Sequence, residues 1–222
     1  MRMSAKPNRR LLVGAAAVAL LVIGAFAAYQ SRDDGASGPP PMEVATSFLE
    51  AYGAFDAEEA ISYLADDADI SQLIGSVGAQ GVQGTPEEFR LLVSLLEATG
   101  YKQKLISCEE LGSSDSGTDV RCTSDYHNFR SDEIGRGPFS AVSFDVTVRD
   151  GEIVRARQDF GVEEFSTQMW EPFASWVSKA YPKDAAVMYA DGGTSGVRLT
   201  EESIRLWERH LRDYVKEVER NT

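Results

Sequence analysis

The chain has 222 residues, which suits one sizeable hydrophobic core with attachments better than two large domains. Hydrophobic residues make up 43% of the chain and charged residues 26%, so a folded globular protein is expected. The formal net charge is −13, and no basic stripe with interleaved aromatic residues is present. Nucleic acid is therefore excluded as a partner.

An uncharged apolar run, LLVGAAAVALLVIGAFAA, occupies residues 11–28. As a helix it would span about 27 Å, close to the roughly 30 Å hydrocarbon core of a bilayer. The residues before it include four basic and no acidic side chains, so the amino terminus is predicted to be cytoplasmic. We expect residues 1–30 to act as an uncleaved signal-anchor that holds an extracytoplasmic domain at the cell membrane.

Cleavage is the alternative, because Ala25-Phe26-Ala27 has the small-x-small form of a signal-peptidase site and would release a secreted protein. The sequence SRDDGASGPPP at residues 31–41 is rich in glycine and proline. It is typical of a polar linker between the membrane segment and a folded domain.

Helical patterns open the folded part. Apolar side chains recur at helical spacing from Val44 to Tyr52, and Asp56 with Glu59 predicts a capping box for a second helix. A third helix is predicted to start after Thr85 and to end at Gly100. Its capping box, Thr85 with Glu88, has a proline at the first helical position.

Two strand hairpins follow the helices. The first joins residues 101–111 and 120–129 across a turn-rich stretch, and the second joins residues 143–149 and 152–160 through Asp150-Gly151. An Asp-Gly pair between alternating strands predicts a two-residue hairpin turn. Helices followed by consecutive antiparallel hairpins predict an α+β domain over residues 42–161.

Cys108 and Cys122 are the only cysteines, and they lie on the two strands of the first hairpin. Export would place them where thiols oxidise. If the turn centres on Asp115, the two residues are directly opposite each other, within the range that a disulfide tolerates. We predict a disulfide between them; two buried unpaired thiols are the alternative.

Residues 162–222 return to helical patterns and form a predicted carboxy-terminal extension. The stretch from Phe165 to Tyr181 is rich in aromatic residues, and Pro172 is expected to start its helix. Thr200 is expected to cap the last helix. That helix carries an apolar stripe which we expect to pack on its own domain, consisting of Ile204, Trp207, Leu211, Tyr214 and Val218.

The order of these elements, and the segments FLEAYGAFDAEEAISYLADDADI (residues 48–70) and RDGEIVRARQDF (residues 149–160), resemble the nuclear-transport-factor-2-like superfamily. Within it, SnoaL-like and ketosteroid-isomerase-like proteins are the most similar, over about residues 43–161. The resemblance implies a cone in which a curved antiparallel sheet wraps around helices and one apolar pocket. Because related cones often form dimers, it also implies that a homodimer is one expected state.

The resemblance also carries positions of catalytic groups. Ketosteroid isomerases would place an oxyanion-stabilising tyrosine at Phe48, a general base at Gln72 and a second acid at or beside Phe144. Phenylalanine donates no hydrogen bond and glutamine takes no proton, so that chemistry is missing. The arginine–acid step of epoxide-hydrolase-like members would fall on Arg157 and the next residue, whereas the acid here is Asp159.

With a regular two-residue turn, Arg155, Arg157 and Asp159 share the face of the second hairpin that carries its apolar residues. They are candidates for a polar floor in the pocket. An ion pair on the outer face of the sheet is the alternative, and it would contribute under about 1 kcal/mol.

Tyr126 and His127 are further pocket candidates, since histidine titrates near neutral pH; a structural histidine is the alternative. Three aspartates, Asp66, Asp67 and Asp69, lack the glycine and distal glutamate of a calcium loop, so no metal site is predicted. No phosphate loop or dinucleotide fingerprint is present, and no cofactor is predicted.

The residues favour binding over catalysis. We expect a membrane-anchored module that uses the cone and the aromatic carboxy-terminal helices to bind a small hydrophobic ligand or to assemble with a partner. The alternative is an isomerase, cyclase or hydrolase of small molecules that uses Asp159 as a non-standard acid.

Overall fold

The computed structural model describes residues 38–192 and 194–221. The predicted membrane segment, residues 11–28, and the predicted linker up to residue 37 lie outside the described residues. Within the part of the chain that is described, no helix combines the length and the apolar character needed to cross a membrane.

The first part of the described chain forms four helices and a short strand. These are α1 (Pro41–Gly53), α2 (Ala57–Ile61), β1 (Leu64–Asp69), α3 (Ser71–Gly75) and α4 (Pro86–Thr99). The predicted caps are confirmed: Asp56 accepts a hydrogen bond from the backbone of Glu59, and Thr85 with Glu88 forms a reciprocal capping box. Gly100 ends α4 at φ 70°, a left-handed conformation that glycine adopts without strain.

Four long strands follow: β2 (Lys102–Ser114), β3 (Gly117–His127), β4 (Phe139–Arg149) and β5 (Glu152–Asp159). They form both predicted hairpins, and the sheet order is β1-β5-β4-β3-β2. β1 pairs parallel to β5, and the other pairs are antiparallel.

Helix α1 packs across strands β2 to β5 and buries the predicted apolar stripe, including Phe48 and Tyr52. The register shifts in every strand pair, and such bulges bend a sheet. The predicted α+β class, with a curved sheet around helices, is confirmed.

One bulge changes which residues of β5 face inward. Val148 pairs with Ile153 but Thr147 pairs with Arg155, so Val154 is an extra residue. The alternation after it is therefore reversed, because successive side chains of a strand point to opposite faces. Ala156 and Gln158 are buried, whereas Arg155, Arg157 and Asp159 are exposed on the outer face.

The carboxy-terminal extension begins with one continuous helical segment: α5 (Val162–Phe165), a π-helical stretch (Ser166–Trp170) and α6 (Glu171–Ala180). Two further helices follow, α7 (Pro182–Met188) and α8 (Glu201–Arg220). Pro172 lies in the first turn of α6, as expected, but helical residues already precede it from Val162 onward. Proline lacks an N–H and crowds the carbonyl four residues earlier. The π-helical stretch accommodates it, and the carbonyl of Gln168 accepts a hydrogen bond from Arg136 instead.

Helix α8 is capped by Thr200 and packs against α4. Its predicted stripe does pack on its own domain, with Trp207 and Leu211 fully buried. Cone and extension share one hydrophobic core and form one compact unit.

The described chain enters this unit at the tip of the β4–β5 hairpin. Asp150 and Gly151 form the predicted turn, with φ values of 55° and 87°. Gly38 and Pro39 lie against it so closely that a Cβ on Gly151 would come within 2.7 Å of Pro39 Cδ. Only glycine fits at this position.

Candidate functional site

A cavity of about 260 Å³ lies between the end of the sheet and the carboxy-terminal extension. The cone contributes Ser76, Val77, Gly78, Leu95, Leu96, Thr99, Tyr126, Asn128, Phe129 and Phe160. The extension contributes Val162, Phe165, Ser166, Trp170, Gly196, Val197 and Trp207. The volume is close to the lower limit of about 300 Å³ for ligand pockets, which suits a molecule of one or two rings.

Phe129 is the centre of the aromatic wall. Its ring centroid lies 5.1 Å from that of Phe165, 5.2 Å from that of Trp207 and 5.5 Å from that of Trp170. Phe129 and Arg130 both have left-handed backbone conformations, with φ of 56° and 55°. Residues other than glycine rarely adopt this backbone conformation. Strained backbone of this kind is found preferentially at functional sites.

A second wall is closed by a contact between two glycines. Val197 N donates a hydrogen bond to the carbonyl of Gly78 at 3.2 Å. A Cβ on Gly196 would lie 2.8 Å from that same carbonyl oxygen. The close approach of the two backbones therefore requires glycine, and it ties the extension to the cone beside the cavity.

Two residues that line the cavity carry a buried hydrogen-bond donor without a partner among the described residues: the hydroxyl of Tyr126 and the indole N–H of Trp207. Both residues are buried, with 1% and 0% of their surface exposed. Trp170, on the same wall, differs: its indole N–H donates to the carbonyl of Thr194 at 3.1 Å.

Burial raises the pKa of Tyr126, and the nearby carboxylate of Glu164 raises the pKa further. The phenol therefore stays protonated at neutral pH and can donate a hydrogen bond. It is unsuited to act as a general base there.

A buried polar network lies beside the cavity, around Gln158. The amide oxygen of Gln158 accepts hydrogen bonds from the hydroxyls of Tyr52 at 3.1 Å and Ser76 at 3.3 Å, and its amide nitrogen donates to Tyr101 at 3.4 Å. The Tyr101 hydroxyl in turn donates to Gln103 at 3.1 Å. The partners of this network are neutral, and Gln158 occupies the inward position at which Asp159 was sought.

The three charged candidates of the second hairpin do not line the cavity. Arg157 pairs instead with Asp145 on the outer face, at 2.6 Å between Nη2 and Oδ2. Arg121 holds the other oxygen of Asp145 at 2.6 Å. Arg157 thus forms the ion pair of the outer-face alternative. The prediction of a polar pocket floor is wrong, because the bulge at Val154 turns Arg155, Arg157 and Asp159 to the outer face.

Of the remaining candidates, Tyr126 lines the cavity and His127 does not. His127 points to the opposite side of β3, where its Nδ1 lies 3.1 Å from Ser131 Oγ and 3.1 Å from the carbonyl oxygen of Arg136. These contacts hold the loop after β3 and correspond to the structural alternative.

The structure also shows where the three positions carried over from ketosteroid isomerases lie. Phe48 and Phe144 are buried in the core on either side of Tyr52, with centroid distances of 6.0 Å and 5.7 Å to its ring. Gln72 is exposed at the start of α3. These three residues thus do not form a catalytic cluster.

Cys108 and Cys122 face each other in the register of β2 and β3, and a disulfide joins them with 4.0 Å between the Cα atoms. Within the described ranges, no group of three or more histidine, cysteine, aspartate or glutamate side chains is arranged to hold a metal ion.

The site residues Phe129, Trp170 and Trp207 are not predicted from the sequence. Their aromatic character was visible, but it predicts core packing equally well. Their assembly around a cavity depends on contacts between segments far apart in the sequence.

No family model and no curated protein matches the chain. Among solved structures, a candidate polyketide cyclase of Pseudomonas putida has 17% identity and a TM-score of 0.42, covering 59% of this chain and 98% of its own. An NTF2-like protein of unknown function from Cytophaga hutchinsonii has 16% identity and a TM-score of 0.38, covering 56% of this chain and 92% of its own. A cystatin-fold protein of Novosphingobium aromaticivorans has 17% identity and a TM-score of 0.39, covering 55% of this chain and 98% of its own. The structures that this chain is similar to thus include NTF2-like proteins, and the likeness is one of fold.

Proposed function

We propose that the described unit is a binding module that holds a small, mainly apolar molecule in the cavity and does not convert it chemically. The observation that carries this proposal is the cavity itself, walled by aromatic and aliphatic side chains from both the cone and the extension. Concave, mainly apolar sites with a few polar groups are typical ligand sites.

The character of the polar groups favours binding over catalysis. The residues that line the cavity include no carboxylate, imidazole, ammonium or guanidinium side chain. General acid–base catalysis needs a group that exchanges a proton near the working pH. Asp159, the acid of the catalytic alternative, is exposed on the outer face. Replacing it by asparagine is expected to leave ligand binding unchanged within a few-fold.

On the sequence evidence, we also propose that residues 1–30 anchor this module to the membrane with the cavity-bearing unit outside the cytoplasm. The basic residues before the apolar run support this orientation.

Native mass spectrometry of the full-length protein, purified from its host, tests the binding function. The expected result is a co-purifying small molecule that is released on unfolding. Val162 lies at the cavity and is 57% exposed, so Val162→Trp is expected to block occupancy with little effect on folding. Leu111→Trp is the matched control, because Leu111 is 51% exposed on β2, away from the cavity. Equal occupancy in the two variants would count against binding in this cavity.

A further inference from the structure

Strand β2 is an outermost strand of the sheet, and its free edge is exposed. The sheet order is β1-β5-β4-β3-β2, so one side of β2 pairs with β3 and no strand among the described residues pairs with the other side. Most residues of β2 are exposed, including the large apolar side chains of Leu105, Ile106 and Leu111. An open strand edge with exposed apolar residues is a template for pairing with another chain.

The backbone of β2 offers hydrogen-bonding groups at this free edge. Cys108 and Cys122 are directly opposite each other with 4.0 Å between their Cα atoms, the close spacing of a pair that exchanges no backbone hydrogen bonds. The N–H and C=O of Cys108 therefore point away from β3. By the same alternation along β3, so do those of Gln103, Leu105 and Glu110. In the described part of the chain, these groups form no backbone hydrogen bond outside the sheet.

A bulge places a lysine and a glutamate of β2 on the same face. Ile106 is an extra residue, because its two neighbours pair with consecutive residues of β3. Lys104 and Glu109 are five positions apart and would lie on opposite faces of a regular strand. The extra residue brings both to the outer face, where they lie opposite Asp125 and Arg121 of β3. The free edge thus carries a positive side chain on one side of the bulge and a negative one on the other.

We propose that two copies of the chain associate through this edge, with their β2 strands antiparallel about a two-fold axis at Ser107. In this register, Lys104 of each copy lies directly opposite Glu109 of the other, on the same face. Leu105 of each copy lies opposite Cys108 of the other. The outward-pointing backbone groups of these two residues bond to each other, so the faces and the hydrogen-bond pattern match in one register. This association goes beyond the ligand binding proposed for the cavity.

The charges favour a second copy of this chain over an unrelated strand. Lysine side chains and bulges on an edge strand commonly discourage pairing. In the proposed register, each copy instead places its own glutamate against the lysine of the other, and the dimer gains two such pairs. The formal net charge of −13 repels a second copy elsewhere on the surface. The pairs between Lys104 and Glu109 therefore select both the partner and the register.

Sedimentation equilibrium of the full chain in density-matched detergent measures the association, and we expect a reversible dimer. Lys104→Glu and Glu109→Lys each turn two attractive pairs per dimer into two repulsive ones. Each is expected to weaken dimerisation about 10-fold or more. Arg155→Glu is the matched control, because Arg155 is exposed on the outer face of β5, three strands away from the free edge of β2. It is expected to leave dimerisation unchanged.

Combining the two charge reversals isolates the contact between copies. The double variant Lys104→Glu/Glu109→Lys restores opposite charges across the proposed contact, and so does an equimolar mixture of the two single variants. Both are expected to dimerise with the wild-type affinity. Within each copy the reversed side chains still face Asp125 or Arg121, which carry the same sign of charge. A restored affinity therefore cannot come from repaired contacts within one copy.

Four results would overturn the edge contact. They are a wild-type chain that stays monomeric at the highest concentration reached, single variants that dimerise as tightly as wild type, and charge reversals that neither the double variant nor the mixture rescues. The fourth is a dimer weakened by Arg155→Glu as strongly as by the two reversals, because it would place the contact on the broad face of the sheet. The binding function proposed for the cavity stands or falls independently of these results.

Discussion

At the scale of single residues, Tyr101 and Tyr126 form a natural comparison. Their rings are neighbours, with centroids 6.3 Å apart, and each is 1% exposed. The hydroxyl of Tyr101 is bound to Gln103 and Gln158, whereas that of Tyr126 has no partner among the described residues. The same substitution at the two positions therefore compares a hydroxyl that has partners with one that has none among the described residues.

We predict that Tyr126→Phe leaves the free energy of unfolding of the ligand-free protein unchanged or raises it by about 1 kcal/mol, because it removes an unsatisfied buried group. Tyr101→Phe is expected to lower it by about 1 kcal/mol, since two amide partners lose a hydrogen bond. Urea unfolding of both variants checks this. An equal loss in the two variants would mean that the Tyr126 hydroxyl has a structural partner, such as an ordered water.

The sequence was least informative about the roles of single residues in the site. Tyr126 was identified as a candidate, but together with His127, which lies on the other side of the strand. The sequence shows that Trp207 belongs to a buried stripe. It does not show that its N–H lacks an acceptor, because that depends on every side chain packed around the ring.

At the scale of elements, local patterns predicted the helix caps and both hairpins, since each depends on residues close together in the chain. They did not predict the bulge at Val154 or the π-helical stretch before Pro172. Both irregularities are set by tertiary packing. One extra residue in β5 was enough to reverse the inferred positions of Arg157 and Gln158.

The contact between the loop at Gly78 and the strand-like segment at Gly196 joins cone and extension. We predict that Gly196→Ala lowers the free energy of unfolding by more than Gly81→Ala. Both glycines have left-handed backbones, with φ of 67° and 71°, so both variants carry a conformational penalty of about 1–2 kcal/mol. Only at Gly196 would the new methyl group also meet a backbone carbonyl, whereas Gly81 has open space around it. Thermal unfolding of the two variants gives the comparison, and equal shifts would show that the close approach relaxes freely.

On the outer face, hydrogen bonds from Arg121, and then from Arg157, hold the pKa of the Asp145 carboxyl below its ordinary value. A lowered folded-state pKa contributes stability above the ordinary value of about 4, and that contribution is lost as pH falls through the folded-state value. We predict that Asp145→Asn costs about 1 kcal/mol or less at pH 7, given that both arginines are partly exposed.

The difference between wild type and Asp145→Asn should stay constant from neutral pH to about pH 5 and vanish at lower pH. Urea unfolding across this range measures it. A difference that grows on acidification would contradict the assignment of the lowered pKa to Asp145.

At the scale of the whole molecule, the sequence predicted the fold class well because it rests on the order of elements. The aromatic helices of the extension were expected to take part in binding together with the cone. Which of their residues line a cavity could not be predicted, since the family resemblance ends near residue 161; Trp207 is one of them.

The disulfide between Cys108 and Cys122 ties β2 to β3 across a sequence separation of 14 residues. Alkylation of the unreduced, denatured protein is predicted to label no thiol. Reduction is expected to lower the free energy of unfolding by roughly 3 kcal/mol, the chain-entropy estimate for a loop of about fifteen residues. Labelling of both cysteines without reductant would contradict the pairing.

The proposal that residues 1–30 anchor the protein to the membrane is tested by a separate measurement. Intact-mass analysis of the protein from its host membranes is predicted to give the mass of a chain that retains residues 11–28. A mature chain that begins near Ala28 would replace the anchor by a cleaved signal peptide and would leave the proposed export unaffected.

The contact of Gly38 and Pro39 with the Asp150-Gly151 turn has a practical consequence for ligand access. Strand β5 runs from this turn to Phe160 on the cavity wall, a rise of about 3.3 Å per residue over its length. The chain therefore enters the folded unit at one end of the sheet, and the cavity lies at the other. Attachment of the folded unit to a sensor surface at this end of the sheet, near Gly38, would keep the cavity on the side remote from the point of attachment. Immobilisation in this orientation suits ligand screening, whereas a bulky fusion after α8 would crowd the helix that carries Trp207.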